Sequence, residues 1–333
     1  MSLMRAEIDE APHAVARVLA NLPAIATVAA RIRALSPPFV TLAARGSSSH
    51  AGTFLRVLIG RELGLTAAAA MPSLASVYRT PQRLHGALFI AISQSGRSPD
   101  LIATAEQARA GGAMTLAIVN DPASPLAEAC ELVLDIKAGP ERSVAATKTV
   151  IATLATCLAL LRLWAGKPVA LETLPARLAA APDWPGIAAT LATTAHIFII
   201  GRGPALGIAK ELALKLAETC GIAGLAFSAA ELAHGPMALA GKGFPMLALL
   251  QDDAARPHSE ALLASIAARA TEVFAAGGNV AGATALPVLP PADADADLIV
   301  MLVSAYRAIE VAARARGFDP DHPRSLEKVT RTV

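Results

Sequence analysis

The chain has 333 residues, of which 54% are hydrophobic and 17% charged, which excludes intrinsic disorder. Twenty-nine Lys and Arg against 27 Asp and Glu give a net charge of +2 with no basic tract, so duplex nucleic acid is not an expected partner. Aromatics are only 4%, so the core must be built from Ala, Leu, Ile and Val.

A membrane-spanning helix needs about 20 consecutive apolar residues. Val150–Leu161 is too short, and 184–201 is interrupted by Pro185, Gly186, three Thr and His196. The acidic N-terminus has no apolar signal region. Cys130, Cys157 and Cys220 stand in apolar surroundings without metal or redox spacing, and read as core residues of a cytoplasmic protein.

In chain order, residues 1–35 are predicted helical, with Pro12 near a helix start. FVTLAA (39–44) is a buried strand leading into Arg45-Gly46 and a helix. LFIAIS is a second strand, ending at Ser93, and ELVLDI (131–136) another. HIFIIG (196–201) repeats the first strand ahead of Arg202-Gly203, and PMLALL precedes Gln251 as LFIAIS precedes Gln94. Arg45 and Arg202 stand 157 residues apart, as do Gln94 and Gln251. DLIVML (297–302) is matched to ELVLDI at an offset of 166 and is expected to be a strand. Two copies of one module follow from this order.

Short apolar runs without two-residue alternation, separated by helical stretches, predict α/β modules with doubly wound parallel sheets. The expected division is a helical segment 1–35, a first domain 36–166, a Pro-rich linker 167–186, a second domain 187–318 and a tail 319–333. Ligands of such sheets sit beyond the carboxyl ends of the strands, so the chemistry is sought there.

Two turns answer that description. Ser93-Gln94-Ser95-Gly96-Arg97-Ser98 precedes a helix starting near Pro99, and offers hydroxyls and backbone amides to an anion at a helix N-terminus. Arg45-Gly46-Ser47-Ser48-Ser49 is a second hydroxyl-rich turn. The competing reading, a plain N-cap at Ser98, does not account for so many small polar residues together. Two such turns facing one crevice suit a sugar phosphate. The corresponding turns of the second copy lack the serines, so that copy is expected to supply a catalytic group.

Glu211, Lys215 and Glu218 share one helical face. On spacing alone they read first as a surface ladder of ion pairs worth a few tenths of a kcal/mol each. His234 precedes a Gly-Pro breaker that fixes it in a turn.

These residues resemble a known family. SQSGRS, the VAATK run (144–148), KLAETCGIAGLAFSAAELAHGP and DHPRSLEK occur in order and are similar to the isomerase half of glucosamine-6-phosphate synthase, a tandem pair of SIS (sugar isomerase) domains. The resemblance covers nearly the whole chain. It implies phosphate binding by Ser93, Gln94, Ser95 and Ser98, sugar contacts at Ser48, with Gly46 beside it, and at Val144, and a proton-moving base at Glu218. It further implies ring opening by His234 reaching the site from the partner subunit of a homodimer, a Schiff-base lysine at Lys328, and a further active-site lysine at Lys215. Arg45 and Arg97 depart from the family pattern and add positive charge near the phosphate. No cysteine precedes Cys130, so a glutaminase nucleophile is not expected.

The expected activity is isomerising deamination, glucosamine 6-phosphate plus water to fructose 6-phosphate plus ammonia. A fructosamine-6-phosphate deglycase, a ketose–aldose phosphate isomerase and a non-catalytic sugar-phosphate regulator are the alternatives. No metal or organic cofactor is expected, because the seven histidines are scattered without ligand spacing.

Overall fold

The structure is a computed structural model describing residues 1–269 and 272–328. Residues 329–333 of the expected tail lie outside the described residues. The chain gathers into two compact units. One comprises 13–141, 148–172 and, of the described tail, 327–328; the other comprises 1–12, 142–147 and 173–326.

The chain starts with α1 (Leu3–Ala20) and α2 (Leu22–Leu35). Pro12 lies inside α1 rather than near its start. The helix begins at Leu3, where Ser2 Oγ accepts from Arg5 N at 3.1 Å and the Asp321 carboxylate accepts from Leu3 N at 2.8 Å and Met4 N at 2.7 Å. Ser2 is a local N-cap; only the part of the cap supplied by Asp321, more than 300 residues away, leaves no trace in local sequence.

The first sheet is built from β1 (Phe39–Ala44), α3 (Gly46–Leu63), β2 (Thr66–Ala69), α4 (Pro72–Ser76), β3 (Leu88–Ser93), α5 (Pro99–Ala110), β4 (Met114–Val119), α6 (Pro125–Ala129) and β5 (Leu132–Asp135). All its strands are parallel, in the order β2-β1-β3-β4-β5. Every residue of β3 is buried, which explains a run that is apolar throughout until its terminal serine. The helix α7 (Lys148–Trp164) follows, buried at every residue but Arg162 and Leu163.

The second sheet belongs to the other unit. After α8 (Leu174–Ala179) and α9 (Pro185–Thr193) come β6 (His196–Gly201), α10 (Ala205–Cys220), β7 (Ala223–Phe227), α11 (Ala229–Leu232) and a 3-10 turn at Pro236–Leu239. Then follow β8 (Met246–Leu249), α12 (Arg256–Ala267), β9 (Val273–Ala276), β10 (Thr284–Leu286) and α13 (Ala294–Ala315). The order β7-β6-β8-β9-β10, again parallel, is that of the first sheet. The Pro-rich stretch between the sheets carries α8 and the buried Trp184.

DLIVML is helical, not a strand. It lies in α13, which Asp293 caps by accepting from Ala296 N at 2.9 Å. Residues 298–303 are all buried, so the stretch shows no polar face, and a short apolar run of this kind fits either helix or strand. The edge position that β5 fills in the first sheet is taken by the three-residue β10.

All three cysteines are buried. Burial pushes the thiols of Cys130 and Cys220 up to about 11 and that of Cys157 up to about 12. No single helix among the described residues is long and apolar enough to cross a membrane; α1 and α2 meet that measure only as a bent pair, by length and composition.

Candidate active site

In the first sheet the strand order reverses between β1 and β3, which pair in register from Val40 with Leu88 to Ala44 with Ile92. The two serine turns leave the carboxyl ends of these neighbouring strands, at the position where such sheets take ligands. Ser47, Ser48 and Ser49 form the first turn of α3; Ser49 N donates to Arg45 O at 3.3 Å, while the amides of Ser47 and Ser48 precede the first helical acceptor. Gly46 opens that helix at φ +50°.

The β3 turn is wound on itself. Ser93 Oγ accepts from Gly96 N at 3.1 Å and Ser95 Oγ from Arg97 N at 3.4 Å. Gly96 has φ +62°, and a Cβ there would stand 2.1 Å from Ser124 Oγ. Only glycine fits, because the backbone is left-handed and presses on Ser124. Ser98 occupies the N-cap position of α5 but its side chain makes no cap hydrogen bond. The hydroxyl is therefore not spent on the helix end. Ser48, Gln94, Ser95 and Ser98 are half-buried and Ser93 is buried.

Arg45 and Arg97 do not add free positive charge. Arg45 bonds Asp100, Nε to Oδ2 at 2.8 Å and Nη2 to the same oxygen at 2.7 Å, and Asp100 is fully buried. Arg97 pairs with Asp121 at 2.9 Å. Each guanidinium has an aspartate partner, which offsets the charge expected from sequence.

The ladder on α10 is not a surface feature. Glu211 and Lys215 are each 1% exposed, and Lys215 Nζ lies 3.7 Å from Glu211 Oε1. Lys215 also bonds the Glu218 carboxylate, whose side chain keeps 19% of its surface open. Tyr306 Oη, on α13, donates to Glu211 Oε1 at 2.8 Å. α10 packs against α13, and that face closes over the first two members of the ladder. Desolvating such ions costs several kcal/mol each, repaid by mutual attraction and good hydrogen bonds. The arrangement holds Glu218 by a buried ammonium while leaving the carboxylate reachable. Sequence reasoning missed Tyr306; its signal was the one aromatic residue of α13.

His234 follows α11, with its N–H donating to Glu231 O at 3.0 Å, and is exposed ahead of Gly235, whose φ is +139°. Val144 N donates to Asp321 O at 3.2 Å. Lys328 is not frayed: its ammonium reaches Glu141 Oε2 at 3.2 Å and is 27% exposed. Glu141 is buried and also accepts from Thr149 N at 3.0 Å and Thr149 Oγ1 at 2.7 Å. Glu141 and Thr149 are a second missed set, since the partners of a tail lysine cannot be read from spacing. Lys148, from the VAATK run, is buried and donates to Pro140 O at 2.6 Å. Among the described residues no group of three His, Cys, Asp or Glu is placed to hold a metal ion.

Comparison with known proteins agrees with this architecture. The SIS domain profile matches residues 39–163 and 190–275. A glutamine–fructose-6-phosphate aminotransferase (isomerizing) of Symbiobacterium thermophilum is 35% identical over 366 residues, covering 98% of this chain and 58% of that protein. The chain thus spans a little over half the length of such curated relatives. A crystal structure of a candidate phosphosugar isomerase from Silicibacter pomeroyi superposes with a TM-score of 0.92 at 42% identity, covering 96% of this chain and all of that one. A glucosamine-6-phosphate deaminase structure from Thermotoga maritima, at 19% identity, TM-score 0.78 and coverage of 99% and 98%, shares the fold. Two parallel sheets of one strand order, each matched by the same profile, place this chain in the SIS domain family.

Proposed function

We propose that this chain is a phosphosugar isomerase that deaminates an amino-sugar phosphate, converting glucosamine 6-phosphate and water to fructose 6-phosphate and ammonia. The observation that carries this reading is the Glu218 carboxylate, held by the buried Lys215 and still partly open. Aldose–ketose interconversion needs one carboxylate to take a proton from C2 of the open-chain substrate and return it at C1, or the reverse. A base on a rigid helix, fixed by an ion pair, meets that need.

In this reading the phosphate lies on the serine turns, with Ser93, Ser95 and Ser98 supplying hydroxyls, Gln94 its amide, and Ser48 and Gly46 the first turn of α3. Val144 contacts the sugar. A 42% identical relative described as a candidate phosphosugar isomerase supports the substrate class. His234 opens the ring, since imidazole exchanges protons near neutral pH. It would do so for a second copy in a homodimer. Lys328 forms an imine with the ketose only when neutral; its contact with Glu141 positions it and must be relinquished first.

A coupled assay for ammonia and fructose 6-phosphate tests the reading. Wild type is expected to turn over at millimolar glucosamine 6-phosphate. Glu218→Gln should lose about 10²–10⁴-fold in kcat while still binding glucitol 6-phosphate. Absence of wild-type turnover would overturn the deaminase reading. Turnover of fructosamine 6-phosphates or of unsubstituted ketose phosphates would assign the same base to those substrates. Tight binding without turnover of any of them would mark a sensor.

A further inference from the structure

The two serine turns are tied to each other by an ion pair. The pairing of β1 with β3 ends at Ala44 and Ile92, and Arg45 follows directly, at the N-cap position of α3. Asp100 is the second residue of α5, two places after Ser98. Arg45 Nε and Nη2 both donate to Asp100 Oδ2, at 2.8 Å and 2.7 Å. The link therefore runs from the start of one helix that follows a serine turn to the start of the other, between residues 55 apart in sequence.

The two ends of this link are not alike. Asp100 is 0% exposed and is fixed to its own helix twice: Oδ1 accepts from Leu101 N at 2.9 Å, and the backbone carbonyl accepts from Thr104 Oγ1 at 2.6 Å. Arg45 keeps 48% of its side chain open. The aspartate is thus a rigid part of α5, and the guanidinium is a bracket reaching it from the end of β1. Two N–H groups converging on one oxygen fix the plane of the guanidinium as well as its distance, which a lysine ammonium does not do.

The charges fit the same role. A carboxylate in the first turn of α5 stands at the helix end where the serine turn offers its amides to an anion. Left bare, it would repel a phosphate dianion; bonded to Arg45, it adds no net charge. A phosphate held by amides and hydroxyls of two separate turns is gripped only while the turns keep their spacing, and a fraction of an ångström matters at such a site. The Ser98 hydroxyl, which caps nothing, and the amides of Ser47 and Ser48 are the groups whose spacing the link sets.

We propose that Arg45 and Asp100 are positioning residues that fix the distance between the two serine turns and so the affinity for the phosphate group. This rests on the reading of those turns as the phosphate site. Asp100→Asn is the deciding variant, because charge and geometry predict opposite results. It keeps an oxygen for Leu101 N and removes a negative charge, so a purely electrostatic role would tighten glucitol 6-phosphate binding. A positioning role weakens it about fivefold or more, read by calorimetry on the full chain. R45M/D100N has the wild-type net charge and leaves no buried ion unpaired, so it should fold normally and be weakened to a similar degree. Arg45→Lys, with one donor in place of two, should fall between wild type and Asp100→Asn. Urea midpoints separate loss of fold from loss of binding. Unchanged or tighter binding by folded Asp100→Asn, or wild-type affinity in R45M/D100N, would overturn the proposal. A wild type that binds no glucitol 6-phosphate would instead overturn the phosphate-site reading, and this inference with it.

Discussion

The Tyr306 hydroxyl donates to Glu211 Oε1 at 2.8 Å, linking α13 to α10 through side chains that are 0% and 1% exposed. Glu211 in turn neighbours Lys215, so the hydroxyl stabilises one end of a buried charge network that ends at Glu218. Tyr306→Phe is expected to cost about 1–3 kcal/mol, the penalty for leaving a buried acceptor short of a donor. Lys215→Met, which leaves Glu211 buried without its cation, should cost about 3–5 kcal/mol, and adding Glu211→Gln should recover part of it. Urea midpoints at unchanged m-values measure all three.

Gly96→Ala should damage both stability and phosphate binding. The added Cβ meets Ser124 Oγ at 2.1 Å, and φ is +62°. Strain and overpacking together are worth about 2–4 kcal/mol. Ser124→Gly in the same chain removes the collision but not the backbone strain, so it should restore only part of the stability. Glucitol 6-phosphate affinity, read by calorimetry, should fall about tenfold in the single variant if the turn holds the phosphate.

His234→Ala and Glu218→Gln chains, each inactive alone, should complement one another when mixed. If His234 serves a second copy, a hybrid dimer contains one intact site. After full subunit exchange half the dimers are hybrids, so about a quarter of wild-type turnover should return. Mixed samples that stay inactive while gel filtration shows exchange would place both residues in one chain's own site.

Stability should decline as pH rises above 9. In the unfolded chain the three thiols ionise near their ordinary value of 9.0; in the fold burial holds them protonated to about 11 or 12. The folded state therefore binds more protons in that interval. This contribution is complete below 9 and is lost as pH rises through the folded values. Urea unfolding at pH 8 and pH 10 should show a loss that shrinks in the C130A/C157A/C220A variant. Iodoacetamide should label the native thiols slowly and the unfolded ones readily.

Much of the fold was legible because buried parallel strands are apolar without alternation. β1, β3, β6 and β8 were found that way, and so were the serine turns that follow the first two. DLIVML failed the same test: in α13 it is buried on every side, which erases helical periodicity and leaves a run that looks like a strand. Pro12 misled because the start of α1 is set ten residues earlier by Ser2, together with Asp321 from far along the chain. The Glu211–Lys215–Glu218 ladder misled in the other direction, since identical spacing occurs on exposed and buried faces.

By itself, the amino-acid order established the alternation of strands and helices, the hydroxyl-rich turns after β1 and β3, and the helical face shared by Glu211, Lys215 and Glu218. These follow from local periods and from residues adjacent in the chain. Tertiary structure alone decided that this face is buried, that Tyr306 completes it, that Glu141 receives Lys328, and that Arg45 and Arg97 are matched by Asp100 and Asp121. The reason is physical: solvent exposure and charge pairing depend on side chains that folding brings together from tens to hundreds of residues apart.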